Sequence, residues 1–293
     1  MTKATWVFPG QGSQAIGMGM DLLTLPAAKA MFDQATEILG WSPINIIQAD
    51  EVKLSQTRYT QPCMYVVESV LADQLKAKGQ SPDFVAGHSL GEYAALYTAG
   101  VFDFATGLRL IQRRAQLMDG ATDGTMAALL GFDREQLESA LGQVPDAVLA
   151  NDNNAGQVVI SGTPAAVDDV IGQVKCKKAV KLKVSGAFHS PLMADAADEF
   201  QQVLADVKFV DAVVPVMSNV APTPSQDATV LQQRLAQQMT GSVRWRELTL
   251  NLAAQAVSRV VEVGPGKVLI GIMKRTDKTL TYDTVGTLAD LEA

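Results

Sequence analysis

The sequence predicts an α/β protein in which a parallel sheet is wrapped by helices and interrupted near its middle by a smaller βαββαβ unit. Three observations carry this. Short apolar runs at 5–8 (TWVF), 84–87 (FVAG), 213–219 (VVPVMSN) and 259–264 (RVVEVG) alternate with stretches of helical periodicity. Between 125 and 184 that alternation gives way to a different order of elements. At 87–91 a strand passes into a helix through the five residues GHSLG.

The bulk properties agree. The chain has 293 residues, 47% hydrophobic and 19% charged, with a net charge of −7. That is a globular composition with material for roughly two domains. The acidity disfavours nucleic acid as a partner. No apolar run approaches the ~18 residues of a membrane span, and the N-terminal segment enters a strand without a leader, so a soluble cytoplasmic protein is expected. Cys63 and Cys176 are isolated, with no metal-ligand spacing, and are expected to be reduced, buried thiols. No metal or cofactor is expected.

After the first strand, FPGQGSQAIG places Gly10, Gly12 and Ala15 in a G-x-G-x-x-A pattern, with Asp33 and Glu37 near the distance of a ribose contact. Pro9 interrupts the strand-to-helix passage, and no second strand ends in an acid. Dinucleotide binding is therefore disfavoured, and the loop is read instead as a source of free backbone N–H groups for an oxyanion.

The next strand, FVAG, leads into the G-x-S-x-G element. Gly87 and Gly91 flank Ser89 where the chain must turn sharply, which is the nucleophile elbow of an α/β-hydrolase-like fold. A glycine-rich turn carrying a solvated serine is the competing reading. A serine hydroxyl needs a base to become a nucleophile at neutral pH, and the chain has two histidines. His88, adjacent to Ser89, is expected to point away from it. His189, in VSGAFHSPL, lies where the chain leaves the middle unit and is the candidate base.

In the helix FATGLRLIQRRAQLM, Arg114 has Leu110, Ile111, Leu117 and Met118 as its i±3 and i±4 neighbours. A guanidinium in an apolar wall needs an anion because it cannot discharge itself. That anion is either a distant acid of the chain or the carboxylate of a substrate, gripped by the planar fork. Arg113, beside Arg109 and Gln116, reads as solvated.

The middle unit runs as strand TMAALLGF, helix DREQLESAL opened by Asp133, strands AVLAN and QVVISG, helix TPAAVDDVIGQV capped by Thr163 with Pro164 in its first turn, and strand AVKLKV. This βαββαβ order is the ferredoxin-like unit. The predicted organisation is a large α/β domain of residues 1–122 and 187–293 with a small inserted domain at 123–186, and a ligand cleft between them. Within KCKKAVKLK, Lys175, Lys177, Lys178, Lys181 and Lys183 form either a charged edge strand that resists aggregation or a docking patch for an acidic partner.

Taken in order, FPGQGSQ, TQPCM, GHSLGEYAAL, Arg114 in its helix, NNAGQVVISG, AFHSPLM and VEVGPGKVL resemble the malonyl-CoA:acyl carrier protein transacylase family of bacterial fatty-acid synthesis, across essentially the whole chain. The resemblance implies a ping-pong acyl transfer from malonyl-CoA to acyl carrier protein through a malonyl-Ser89, with His189 as base. It implies that the backbone N–H groups of Gln11 and Leu90 form the oxyanion hole and that Arg114 pairs with the malonyl carboxylate. Gln238 falls where the family orients the histidine through a main-chain carbonyl, although Gly241 and Arg244 stand where the pattern has Pro and Gln. Asn153 lies in a loop near the active site. Phe188, in the GAF before His189, matches the malonyl-type segment, where it would crowd a branched acyl chain. A monomer is expected. A serine hydrolase or thioesterase, an acyltransferase of a polyketide or malonate decarboxylase pathway, and a non-catalytic binding module remain as alternatives at this stage.

Overall fold

A computed structural model describes residues 3–292. Its strands are β1 (Lys3–Phe8), β2 (Phe84–Gly87), β3 (Thr125–Leu130), β4 (Ala147–Asn154), β5 (Gln157–Gly162), β6 (Lys178–Lys181), β7 (Val216–Met217), β8 (Val257–Val263) and β9 (Thr281–Val285). They form two sheets. The first is five-stranded, in the order β7-β2-β1-β8-β9, and all its pairings are parallel. Val7 and Phe8 of β1 and Val85 and Ala86 of β2 are wholly buried, as expected for central strands covered on both faces. An α/β fold with a parallel sheet and surrounding helices is therefore observed. Helices Thr57–Ala77, Gly91–Thr98 and Phe104–Gly120 pack together beside it, with Tyr65 stacked on Phe104 at 5.7 Å.

The second sheet is four-stranded and antiparallel, in the order β4-β5-β3-β6. Its helices are Arg134–Gln143, whose N-cap Asp133 accepts from Gln136 N–H, and Pro164–Gln173, capped by Thr163 with Pro164 in the first turn. Both caps are those the sequence signals. The period of two splits β3 between two cores. Ala127 and Leu129 pack with Leu137, Ile160 and Val167 under the two helices, whereas Met126 and Ala128 join the main core. A backbone bridge ties β4 to the segment that leads into the helix Trp245–Ala254, since Asp152 N–H donates to Val243 O at 3.0 Å and Val243 N–H to Ala150 O at 2.8 Å.

Some boundaries differ from expectation. The strand predicted at 179–184 is β6 over Lys178–Lys181; Leu182 N–H still donates to Met126 O of β3 at 2.9 Å, and Leu182 and Val184 line the cleft beyond the strand's end. The run VVPVMSN contributes a strand only at Val216–Met217, since Pro215 cannot donate to a ladder. Cys63 is buried as expected, but Cys176, in the segment leading to edge strand β6, is half-buried. Arg113 is not merely solvated, for it pairs with Glu199. Among the described residues no helix is long and apolar enough to cross a membrane, and no cluster of His, Cys, Asp and Glu could hold a metal ion.

Candidate active site

The elbow forms where β2 ends. A Cβ at Gly87 would lie 1.9 Å from the Gly91 carbonyl carbon, and one at Gly91 would lie 2.2 Å from Phe8 O. Neither position accepts a side chain, which explains the spacing in GHSLG. Ser89 itself has φ of 53°, a left-handed conformation that is uncommon for a residue with a Cβ. Asn219, just past β7, fastens the turn: its Oδ1 accepts from Ser89 N–H at 2.7 Å and its Nδ2 donates to Gly87 O at 2.6 Å.

His189 faces Ser89, with Nε2 2.8 Å from Ser89 Oγ. On the other side its Nδ1 is 2.9 Å from Gln238 O and 3.1 Å from Gly241 O. Both neighbours are carbonyls and only accept, so the proton belongs on Nδ1 and the Nε2 lone pair faces the serine hydroxyl. Burial, with the Arg114 guanidinium next in importance, lowers the imidazole from its ordinary value to about 3. It is therefore neutral near pH 7. His189 also has a positive φ, 58°. The Pro and Gln absent from the 241–244 segment do not alter this contact, because it uses main-chain oxygens.

His88 points away from the serine. Its Nε2 is 3.0 Å from Asn153 Oδ1 and 3.4 Å from Asn151 Nδ2, and its ring lies 5.4 Å from that of Trp245. Its link to β4 joins the elbow to the second sheet.

Arg114 is 1% exposed. The helix neighbours are apolar, as the sequence indicates, but the guanidinium extends past them into a polar cluster. It donates to Gln61 Oε1 at 2.7 Å, to Ser89 Oγ at 2.9 Å and to Gln238 Oε1 at 3.0 Å, and it lies 5.5 Å from the Tyr93 ring. No carboxylate is within ion-pair distance of it among the described residues. The distant-acid alternative therefore does not take the form of a direct salt bridge.

A cavity of about 220 Å³ opens over Ser89 between the two sheets. Gln11, Leu90, Asn153, Phe188 and His189 line it, and Met126, Val159 and Leu182 give it an apolar wall. The backbone N–H groups of Gln11 and Leu90 have no acceptor among the hydrogen bonds of the described residues. The Gln11 side chain anchors its loop by donating to Thr57 Oγ1 at 3.1 Å. Of the predicted site residues, Gln11, Ser89, Leu90, Asn153, Phe188 and His189 line the cavity, while Arg114 and Gln238 are bonded immediately behind the serine. Three further residues of the cluster, Gln61, Glu92 and Asn219, escape a reading of the sequence for chemistry. Only Asn219 carries a local signal, its place after an apolar run that ends at the same edge of the sheet as the elbow.

A serine held on a strand–turn–helix elbow, hydrogen-bonded to a neutral imidazole and flanked by unpaired amides, defines an acyl-transferring enzyme class. The chain belongs to the acyl transferase domain family, whose model matches residues 5–290. It is 55% identical over 291 residues to the malonyl CoA-acyl carrier protein transacylase of Synechocystis sp., covering 99% of each chain. The crystal structure of a Synechocystis malonyl-CoA:ACP transacylase superposes with a TM-score of 0.98 at 56% identity, again covering 99% of both chains. A malonyl-transacylase solved in complex with its type II PKS acyl-carrier protein gives a TM-score of 0.94 at 36% identity, covering 99% of this chain and 98% of that one.

Proposed function

We propose that this protein transfers the malonyl group of malonyl-CoA to the phosphopantetheine thiol of an acyl carrier protein, supplying fatty-acid elongation. The observation that carries the reading is the position of Ser89 Oγ, 2.8 Å from His189 Nε2 and 2.9 Å from an Arg114 nitrogen. The nucleophile thus sits between a base and a fixed cation.

As Ser89 Oγ attacks the thioester carbonyl, its proton passes to His189 Nε2. The carbonyl π electrons move to oxygen, and that oxyanion is met by the N–H groups of Gln11 and Leu90. Collapse expels the coenzyme A thiolate, which takes the proton from the imidazolium and leaves as a thiol. In the second half, the carrier thiol gives its proton to His189 and attacks the malonyl ester. Ser89 departs with that proton. The Gln238 carbonyl keeps the imidazole in the productive tautomer throughout, since Nδ1 never surrenders its hydrogen.

Acylation removes the hydroxyl that Arg114 holds in the free enzyme, and the malonyl carboxylate supplies the replacement acceptor. That exchange favours malonyl over acetyl. Phe188 limits branching of the acyl chain, and Asn153, its carbonyl oxygen engaged by His88, keeps its amide hydrogens for the substrate. The β3–β6 sheet with its two helices is a ferredoxin-like insertion at 123–186 in an α/β-hydrolase-like domain of 1–122 and 187–293, and the reaction cleft lies between them. The exposed lysines from Lys175 to Lys183 offer a positive edge to an acidic carrier. The reading further holds that the enzyme acts in the cytoplasm as a monomer.

Rapid mixing with malonyl-CoA tests the proposal. A stoichiometric burst of coenzyme A without a carrier thiol, followed by carrier-dependent turnover, is the expected result. Continuous release of free malonate would make the chain a thioesterase, and no release would make it a binding module.

A further inference from the structure

Behind the serine lies a carboxylate that the chemistry above does not use. We infer that Glu92 is a positioning residue, the buried counter-charge of the acyl-selecting guanidinium, acting on Arg114 and on the Ser89–His189 pair through the side chain of Gln238. The inference rests on the transacylase reading and deepens it.

Glu92 is the second residue of the helix Gly91–Thr98, directly after the elbow, and is 1% exposed. Its Oε2 accepts from Gln238 Nε2 at 2.6 Å and from Asn219 N–H at 3.2 Å. Those two partners in turn hold the site. Gln238 Nε2 also donates to Ser89 O at 2.9 Å, Gln238 Oε1 accepts from Arg114, and Gln238 O faces the His189 ring. Asn219 grips the elbow at Gly87 O and at Ser89 N–H. One buried carboxyl group thus stands one residue behind Ser89, His189 and Arg114.

Glu92 differs from Glu68, which is also fully buried, in the donors that face its carboxyl group. Neither Glu68 oxygen has a hydrogen-bond partner, and burial, with Glu262 nearby, raises that acid well above the carboxylate range. Burial raises Glu92 too, and the acid stays above its ordinary value, but the Gln238 amide, the Asn219 N–H and the Arg114 charge each act against that rise and favour the carboxylate. A guanidinium cannot be discharged, and no other acid reaches Arg114 through a single bridging side chain among the hydrogen bonds of the described residues. An amide that accepts from the cation and donates to the anion is oriented by both charges. Its dipole transmits the field of one to the other.

This arrangement has two kinetic consequences. An imidazolium develops on His189 in each half-reaction, close to Arg114, and Glu92 offsets the repulsion. In the free enzyme Glu92 also partly satisfies Arg114, which moderates the hold on malonyl. Removing the charge while keeping the shape should therefore slow chemistry and tighten substrate together.

The test is Glu92→Gln, measured for malonyl and acetyl transfer with holo-carrier protein. The expected result is a kcat lower by about tenfold to a hundredfold for both acyl groups, the scale of one buried charge acting on a developing cation, with the KM for malonyl-CoA several-fold lower and that for acetyl-CoA unchanged. A Glu92 that serves only as a hydrogen-bonding clamp predicts unchanged constants, or a fall in kcat with a rise in both KM values. Either outcome would overturn the inference. Melting at pH 8 gives a readout independent of activity and of Glu92→Gln folding by itself. Arg114→Met leaves Glu92 without its buried counter-charge, Arg234 being the other cation that senses it, so Arg114→Met/Glu92→Gln should melt higher than Arg114→Met; equal or lower melting would again overturn it. If the unmodified protein forms no malonyl-serine, the proposed function fails, and the melting comparison still decides the counter-charge.

Discussion

Ser89 and His189 meet at 2.8 Å from two backbone positions that share an uncommon conformation, φ of 53° and 58°. Each has its own fastening, Asn219 at the serine and the Gln238 and Gly241 carbonyls at the histidine. Backbone strain of this kind costs of order 1–3 kcal/mol per residue and persists where the surroundings enforce it. The pair is thus held in place before substrate arrives.

On the proposed mechanism, removing His189 should separate chemistry from folding. His189→Ala is expected to slow acyl-enzyme formation by about 10² to 10⁴-fold, the usual worth of general-base assistance, with the far-UV circular dichroism spectrum unchanged. His88→Ala should retain far more of the acylation rate, because that ring bonds to Asn153 and not to Ser89. A reversed ranking of the two variants in a single-turnover assay would assign the base wrongly.

On the proposed function, Arg114→Ala removes the partner of the malonyl carboxylate. Truncating one member of a buried charge pair costs roughly 2–5 kcal/mol, so malonyl transfer should fall by about 30-fold to several thousand-fold. Acetyl transfer should change much less, and selectivity should collapse or invert. Competition between the two thioesters in one reaction measures this. A parallel loss of both activities would give Arg114 a purely structural role.

The elbow admits no added carbon. Gly87→Ala would place a Cβ 1.9 Å from the Gly91 carbonyl carbon, and a backbone obstacle cannot rotate away. Destabilisation of at least ~3 kcal/mol is expected, at or beyond the upper end for overpacked sites, read as a large drop in denaturation midpoint. Gly172→Ala, where nothing lies within 4 Å of the new carbon, should be near neutral and serves as the control.

The histidine also sets a dependence on pH. Burial, reinforced by Arg114, brings His189 down to about 3, whereas in the unfolded chain it titrates near ~6.5. The unfolded state therefore takes up the proton first. The stability contributed is complete above about 6.5 and is lost as the pH falls from there toward about 3. Comparing protein with native His189 and His189→Gln in urea melts from pH 8 to pH 4 isolates this contribution, because buried acids and His88 are common to both. The gap between the two should shift against the histidine form as the medium is acidified. A constant gap would mean that the imidazole is solvated.

Much of this was legible in the sequence where the signal was local. Asp133 and Thr163 announce their helices, Gly87 and Gly91 enclose Ser89, and the βαββαβ order of the middle unit emerges from caps and alternation alone. Arg114 stood out because its helix neighbours are apolar. The partners of its head did not, since Gln61 and Gln238 come from 53 and 124 positions away. Glu92 and Asn219 escaped for the same reason, 127 residues separating them. A polar residue adjacent to a motif carries no mark of where its side chain will point. The early end of β6 was equally hidden, because Leu182 and Val184 fit a strand pattern while packing into the cleft.

The central claim is that Ser89 carries the malonyl group between two thiols. Intact-mass spectrometry with peptide mapping, after malonyl-CoA alone and then after addition of holo-acyl carrier protein, tests it most directly. The account predicts one malonyl adduct on the peptide containing Ser89, absent from Ser89→Ala, that disappears as malonyl appears on the carrier. An adduct that survives Ser89→Ala, or one lost to water as fast without the carrier as with it, would contradict it.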